Sequence, residues 1–278
     1  IGLFYATVWC ATRNPPQVIK KEIHTLRLRE KQADALKGLN FTDSDSDQAL
    51  LLEVLKELEQ LDWFENWMLS KKYLTPETAV KHFFEKILSQ GICRGITEVA
   101  QKFSQEGRAE FSATALKEYL FQNRNLIFKK QIIHLVACDL KEMKLPFAKR
   151  ALKEAEAMLT NSSDPQEEIT STTKTPLFPA SVTSLLPARA SGSVHLHEPK
   201  VPGLSGHVFS FYTTKDQIIL CDPNSSEVGI ISYPKTKIRL STLLKEHIQS
   251  YYGGQYDSVC VRTWKMPKEE SVLPLVKS

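Results

Sequence analysis

The sequence predicts an α+β fold, with an N-terminal helical lobe followed by a C-terminal antiparallel β-sheet lobe. Up to residue 160, apolar residues recur at the three- and four-residue spacing of amphipathic helices. After residue 193, short runs of β-branched and aromatic residues are typical of strands. Helices followed by a group of strands form the α+β pattern.

The composition is that of an ordinary soluble globular protein. The chain has 278 residues, 42% hydrophobic and 24% charged, which suits one large domain or two packed lobes. A net charge of +4 is too small to predict a nucleic-acid partner. The apolar start, from Ile1 to Cys10, is too short to span a bilayer and lacks the charged region of a signal peptide. We therefore expect no integral membrane segment.

Residues 1–74 are predicted to be a helical extension. The acidic stretch 43–47 suits the start of a helix, and apolar residues follow it at helical spacing from Leu50 to Phe64.

The helical lobe is predicted at 75–160 and begins with a strong start signal. Thr75 suits the N-cap, Pro76 the first helical position and Glu77 the first turn. This helix is expected to end before Gly91. Further helices are predicted near 93–103, 112–120 and 126–159, the last with a break at Pro146.

A change of composition separates the helices from the sheet. Residues 161–193 are rich in Ser, Thr and Pro without helical or strand periodicity, and are predicted to be an exposed loop or linker. The sheet lobe is predicted at 194–278. Its expected strands and helix are, in order, 206–213, 217–222, 227–233, the helix 240–250, and 258–264.

The five cysteines predict neither a disulfide framework nor a zinc site, because their number is odd and their spacings are wide. Reduced thiols in a cytosolic compartment are expected. Cys138, Cys221 and Cys260 lie in apolar runs and are predicted to be buried and inert. No glycine-rich phosphate loop or dinucleotide fingerprint occurs, so no cofactor is predicted.

Cys93 lies at a predicted helix start, with Gly91 and Gly95 on either side. The unpaired N–H groups and the positive dipole end at such a position favour the reactive thiolate. The same N–H groups can bind an oxyanion on an attacked carbonyl. Cys93 is therefore a candidate nucleophile; the alternative is a small core residue at a helix junction.

His207 and Asp222 occupy equivalent places on two successive predicted strands. If a turn of even length joins these strands symmetrically, Phe211 pairs with Ile218 and His207 with Asp222. Asp222 would then orient the imidazole and stabilise its protonated form. The alternative is a surface histidine and an aspartate that caps the following turn.

Three segments, 91–97, 206–209 and 221–224, together resemble the YopT/AvrPphB family of bacterial effector proteases, a papain-like group. The family has a glycine-flanked cysteine motif, a Gly-His strand start and an Asp-Pro-Asn segment in this order. The resemblance covers roughly residues 75 to 265. It implies a papain-like fold and a bacterial protein, secreted into the host cell cytoplasm, that cleaves a host protein.

The resemblance also implies the role of each site residue. Cys93 would be the nucleophile, His207 the general base and Asp222 the residue that orients the histidine. Papain-like enzymes usually have an amide side chain a few residues before the cysteine as an oxyanion donor. Gln90 is the nearest amide here, three residues upstream.

Other interpretations stay open on the sequence alone. The same triad could serve a deamidase, transglutaminase or acyltransferase, or the fold could be a binding module without catalysis. A metal site at His195, His197 and Glu198 is not favoured, because no further ligand has a fitting spacing. His134 is expected at the core or its boundary, and His247 on an exposed helix face.

Overall fold

The computed structural model describes residues 45–106, 111–159, 167–172, 190–199, 206–224, 229–235 and 239–265. In these ranges the helices come first and an antiparallel sheet follows, which confirms the predicted order of elements. The predictions for residues 1–44 lie outside the described residues. The elements are α1 (Asp45–Glu59), α2 (Asp62–Ser70), α3 (Pro76–Gln90), α4 (Cys93–Gln105), α5 (Ala113–Gln122), α6 (Arg124–Glu142), α7 (Ala148–Leu159), β1 (Glu167–Thr172), β2 (Ala190–Pro199), β3 (His207–Thr213), β4 (Gln217–Cys221), β5 (Ile230–Pro234), α8 (Leu240–Tyr252) and β6 (Tyr256–Lys265).

Local sequence sets the bounds of α3, the helix that leads to the candidate nucleophile. Thr75 is its extended N-cap, and the backbone N–H of Thr75 donates to the hydroxyl of Thr78 at 3.3 Å. Pro76 occupies the first turn, where a missing N–H costs nothing. The helix ends at Gly91, whose φ of 80° favours glycine and turns the chain directly into α4.

The helices α1 to α7 pack around one apolar core, which also includes residues from one face of the sheet. Burial of these side chains is the main stabilisation of the helical part, at roughly 1.5–3 kcal/mol for each large apolar side chain. Its fully buried members include Leu55, Phe64, Trp67, Phe83, Val99, Phe128, Val136, Tyr212 and Ile219.

Within the described ranges, the sheet has six strands in the order β1-β6-β2-β3-β4-β5, and every pairing is antiparallel. Its second face packs against α8 in a separate core that includes Phe209, Phe211, Leu220 and Leu244. The strand β3 is therefore covered on both faces. It lies between β2 and β4, where its backbone is paired on both edges.

The register of the β3–β4 hairpin differs from the prediction by two residues. Phe211 lies opposite Leu220 and not opposite Ile218. The reason lies in the turn, because the Thr214 hydroxyl accepts the N–H of Gln217 at 3.0 Å and moves the turn centre one residue along the chain. A shift of two residues keeps each side chain on its predicted face.

The predicted loop 161–193 differs from the structure at residues 167–172 and 190–193, and the rest of it lies outside the described residues. It contains β1, which pairs along its whole length with β6, and β2 already begins at Ala190. The strand β1 has the sequence Glu-Glu-Ile-Thr-Ser-Thr. The Ser and Thr residues suggested a loop, yet threonine is β-branched and fits an edge strand well.

Candidate active site

Cys93 is the first residue of α4 and is partly exposed. The helix α4 lies against β3, where the hydroxyl of Thr97 is 3.4 Å from the carbonyl oxygen of Val208. The close approach of α4 to α6 requires Gly95, because a Cβ atom there would overlap the backbone carbonyl of Ile127. These contacts fix the start of α4 beside the start of β3.

His207 is the first residue of β3, and Asp222 follows the last residue of β4. Both side chains are buried, and His207 Nε2 lies 2.9 Å from Asp222 Oδ1. His207 Nδ1 lies 3.3 Å from the Nδ2 of Asn224. Nε2 is thus engaged by the carboxylate and Nδ1 by Asn224, and the imidazole also interacts with the thiol of Cys93.

The carboxylate of Asp222 is 0% exposed and accepts four hydrogen bonds. The backbone N–H of Asn224 donates to Oδ1 at 3.0 Å, alongside His207. The other oxygen, Oδ2, is 2.6 Å from His247 Nε2 and 2.6 Å from the Tyr252 hydroxyl, both on α8. Asp222 thus makes both contacts that the sequence suggested: it caps the turn that follows it, and it bonds to His207.

Burial favours the neutral form of Asp222 and of His207, whereas their mutual attraction and their hydrogen bonds favour the charged forms. Burial would raise the pKa of Asp222, but the charge of His207 and hydrogen bonds from His207 and His247 hold it well below its usual range. Burial would lower the pKa of His207, but the charge of Asp222 and hydrogen bonds to Asp222 and Cys93 raise it to about 10.

The thiol follows the same rule. Burial would raise the pKa of Cys93, but hydrogen bonds with His207 and the Val208 backbone, together with the charge of His207, lower it. A lowered thiol pKa beside a raised imidazole pKa describes a thiolate–imidazolium pair. This is the activated form of a cysteine nucleophile.

Two kinds of group near Cys93 could bind an oxyanion. The first turn of α4 has backbone N–H groups without partners inside the helix, and Gln131 Oε1 accepts that of Gly95 at 3.1 Å. The N–H groups of Cys93 and Arg94 are the remaining candidates in this turn. The side chain of Gln90 is exposed at the end of α3 and lines the same groove as Cys93.

A groove of about 720 Å³ opens beside Cys93 and His207. One wall contains Arg94, whose guanidinium donates to Glu98 at 2.6 Å and lies 3.3 Å from His195 Nδ1. His195 Nε2 lies 2.9 Å from the hydroxyl of Ser193. Both ring nitrogens of His195 are therefore engaged, which argues against its use as a metal ligand.

His134 and Cys138 lie along the same groove. Burial and the nearby charges of Arg94 and Lys141 lower the pKa of His134 to about 4, so this imidazole is neutral. Cys138 is exposed, contrary to the prediction, because it lies on the side of α6 that lines the groove and not on the side that faces the core. Burial of Cys221 and Cys260 agrees with the prediction.

His247 was missed as a site residue. It was predicted to be exposed, but it is buried and bonded to Asp222. The sequence contained a signal, because position 247 follows Leu240, Leu243 and Leu244 on the apolar stripe of α8. A histidine on such a stripe needs a buried polar partner, which Asp222 provides.

Among the described residues, no group of three or more His, Cys, Asp or Glu side chains could hold a metal ion. Within the same ranges, no helix combines the length and the apolar composition that crossing a bilayer requires.

No family model matches the chain, and no curated protein matches it significantly. Among solved structures, the chain is similar to the crystal structure of the Pseudomonas avirulence protein AvrPphB. The two share 17% sequence identity, with a TM-score of 0.42, over 64% of this chain and 92% of that one. At this TM-score the similarity supports no conclusion about fold or activity.

Proposed function

We propose that this protein is a papain-like thiol hydrolase with Cys93 as nucleophile, His207 as general base and Asp222 as the residue that orients the histidine. The observation that supports the proposal is the series of contacts from buried Asp222 through buried His207 to a partly exposed thiol at a helix start. Structural cysteines in apolar surroundings have raised pKa values, whereas that of Cys93 is lowered.

In the first step, the Cys93 thiolate attacks the carbonyl carbon of an amide and forms a tetrahedral intermediate. The negative charge on its oxygen faces the start of α4, where the N–H groups of Cys93 and Arg94 can donate. The imidazolium of His207 then protonates the leaving amine as the carbon–nitrogen bond breaks. The products of this step are the free amine and a thioester on Cys93.

In the second step, the neutral imidazole of His207 accepts a proton from water, whose oxygen attacks the thioester. The carbon–sulfur bond breaks, and a carboxylic acid leaves. The thiolate and the imidazolium are restored. Asp222 keeps its charge throughout, because its four hydrogen-bond donors stabilise the carboxylate form.

The substrate class that we propose is a protein or peptide, which the open groove beside Cys93 can accommodate. Cleavage of a host protein by a bacterial effector stays a prediction from the sequence resemblance. Incubation with candidate proteins separates the possible reactions: proteolysis gives two fragments, whereas deamidation of a side chain adds about one dalton.

The rate at which iodoacetamide alkylates Cys93, measured against pH by site-resolved mass spectrometry, tests the proposed pair. We expect an apparent pKa well below about 8.5, the value of a free thiol, and a rise toward that value in His207→Ala. The variant His134→Ala is the matched control, because His134 lies 3.8 Å from a different thiol, that of Cys138.

In the same samples Cys138 is an internal reference, because partial desolvation by its neighbours raises the pKa of its thiol although the side chain is exposed at the surface. If Cys93 titrates like a free thiol both with and without His207, the hydrolase proposal is refuted and a binding module without catalysis is the remaining interpretation. If His134→Ala shifts the apparent pKa of Cys93 as much as His207→Ala does, the shift is not specific to the proposed base.

A further inference from the structure

The helix α8 contributes two side chains to the candidate site, although it carries none of the three proposed triad residues. His247 Nε2 and the Tyr252 hydroxyl both donate to Asp222 Oδ2, at 2.6 Å each. The bond between an aspartate's Cβ and its carboxyl carbon rotates broadly, without a sharp rotamer preference. Hydrogen bonds to both oxygens therefore determine where the carboxylate points.

The two oxygens of Asp222 have separate tasks. Oδ1 accepts from His207 and from the backbone N–H of Asn224, whereas Oδ2 accepts from His247 and Tyr252 of α8. A carboxylate held by donors on Oδ2 cannot turn Oδ1 away from His207 without breaking two short bonds. Charge-assisted hydrogen bonds of this kind are about twice as strong as neutral ones.

Packed rings hold the two donors in place. The ring of His247 lies 5.1 Å from that of Phe209 and 4.7 Å from that of Tyr251. The ring of Tyr252 lies 5.0 Å from that of His207. All of these contacts lie in the apolar core between the sheet and α8. This core therefore holds the rings of His207 and His247, which both contact Asp222.

We propose that His247 and Tyr252 are positioning residues of the hydrolase, which hold the Asp222 carboxylate at the angle that keeps His207 in contact with Cys93. The proposal rests on the function proposed above, but the contact between Asp222 and His207 can be measured without catalysis. A histidine that only fills the core would leave this contact unchanged when a ring of similar shape replaces it.

The decisive test uses nuclear magnetic resonance of full-length protein with Cys93→Ala, which removes the nucleophile. In this background, His247→Phe keeps a ring but loses the donor. His247→Gln keeps an N–H near the position of the imidazole Nε2. The measured quantities are the pKa of His207 and the resonance of its Nε2–H proton, which is protected from exchange by the bond to Asp222.

We expect His247→Phe to lower the pKa of His207 by at least about one unit, a tenfold change in its protonation equilibrium, and to abolish the protected resonance. We expect His247→Gln to retain most of both properties. An unchanged His207 pKa in His247→Phe would overturn the proposal, because His247 would then contribute packing alone. A raised His207 pKa would also overturn it, because His247 would then weaken the attraction between Asp222 and His207. Equal losses in both variants would overturn it too.

Tyr252→Phe is the second variant, and it removes a single hydroxyl without changing the ring. If His247→Phe fails to fold, the same criteria apply to Tyr252→Phe, with a lowered His207 pKa as the supporting result and an unchanged one as the opposing result. The alkylation rate of Cys93 in the unmodified background separates the two proposals. If Cys93 of the wild-type protein reacts like a free thiol, the hydrolase proposal is refuted. The resonance measurements still decide whether His247 and Tyr252 orient Asp222.

Discussion

Replacement of Asp222 by asparagine removes the central charge of the candidate site while keeping its shape. Four donors point at the carboxylate, two at each oxygen. An asparagine side chain has one acceptor oxygen and one N–H2 group, so two of the four donors would face another donor. Removal of one partner of a buried ion pair costs about 3–5 kcal/mol. We expect Asp222→Asn to lower the free energy of unfolding by this amount, out of a total of about 5–15 kcal/mol.

The loss should depend on pH in a way that the two pKa shifts define. The pKa of Asp222 is lowered on folding, so its contribution is present above about pH 3.9, the unfolded value, and is lost in acid. The pKa of His207 is raised to about 10, so its contribution is complete below about pH 6.5 and is lost as the pH rises toward 10. The difference between wild type and Asp222→Asn should therefore be largest between about pH 4 and 6.5.

Urea unfolding at a series of pH values from 5 to 9, followed by circular dichroism, measures this difference. Asp216→Asn is the control, because Asp216 is exposed in the turn of the same hairpin and its substitution should change stability by less than about 0.5 kcal/mol. A loss below about 1 kcal/mol for Asp222→Asn, or one that stays constant from pH 6 to pH 9, would refute the proposed charge pair.

Two further predictions concern the surroundings of the nucleophile. Gly95→Ala should lower the free energy of unfolding by about 1–3 kcal/mol, because the added methyl group overlaps the carbonyl of Ile127. Urea unfolding measures this change. Unchanged stability would contradict the close packing of α4 on α6. Gln90→Ala should lower kcat by about 10²–10³ if Gln90 binds the oxyanion, without slowing alkylation of Cys93 by iodoacetamide, which forms no oxyanion. Equal slowing of both reactions would show that Gln90 acts on the thiol.

Most of the helices and strands could be predicted because their signals are local. Thr75, Pro76 and Glu77 mark the start of α3, and alternation along β3 marks a strand. The sequence also selected Cys93, His207 and Asp222, which the structure brings together. For the helix starts and strand faces the pattern of a short segment was sufficient, because both depend on neighbouring residues.

The features that could not be predicted depend on contacts between distant segments. The hairpin register depended on the hydroxyl of Thr214. The strand β1 forms because β6 offers a free edge, which the Ser- and Thr-rich sequence does not reveal. The burial of His247 depends on Asp222, and helical periodicity alone identifies the buried position but not the polar partner.

The order of the elements along the chain has a consequence for synthesis. Cys93 starts a helix in the first part of the chain, whereas His207 and Asp222 come from strands made much later. A ribosome that has finished the helices has therefore produced a thiol without its base. Because contacts between such distant segments form late in folding, the thiol acquires its lowered pKa only once the sheet has formed. Incomplete chains thus carry an ordinary cysteine, and the reactive group arises only in the finished fold.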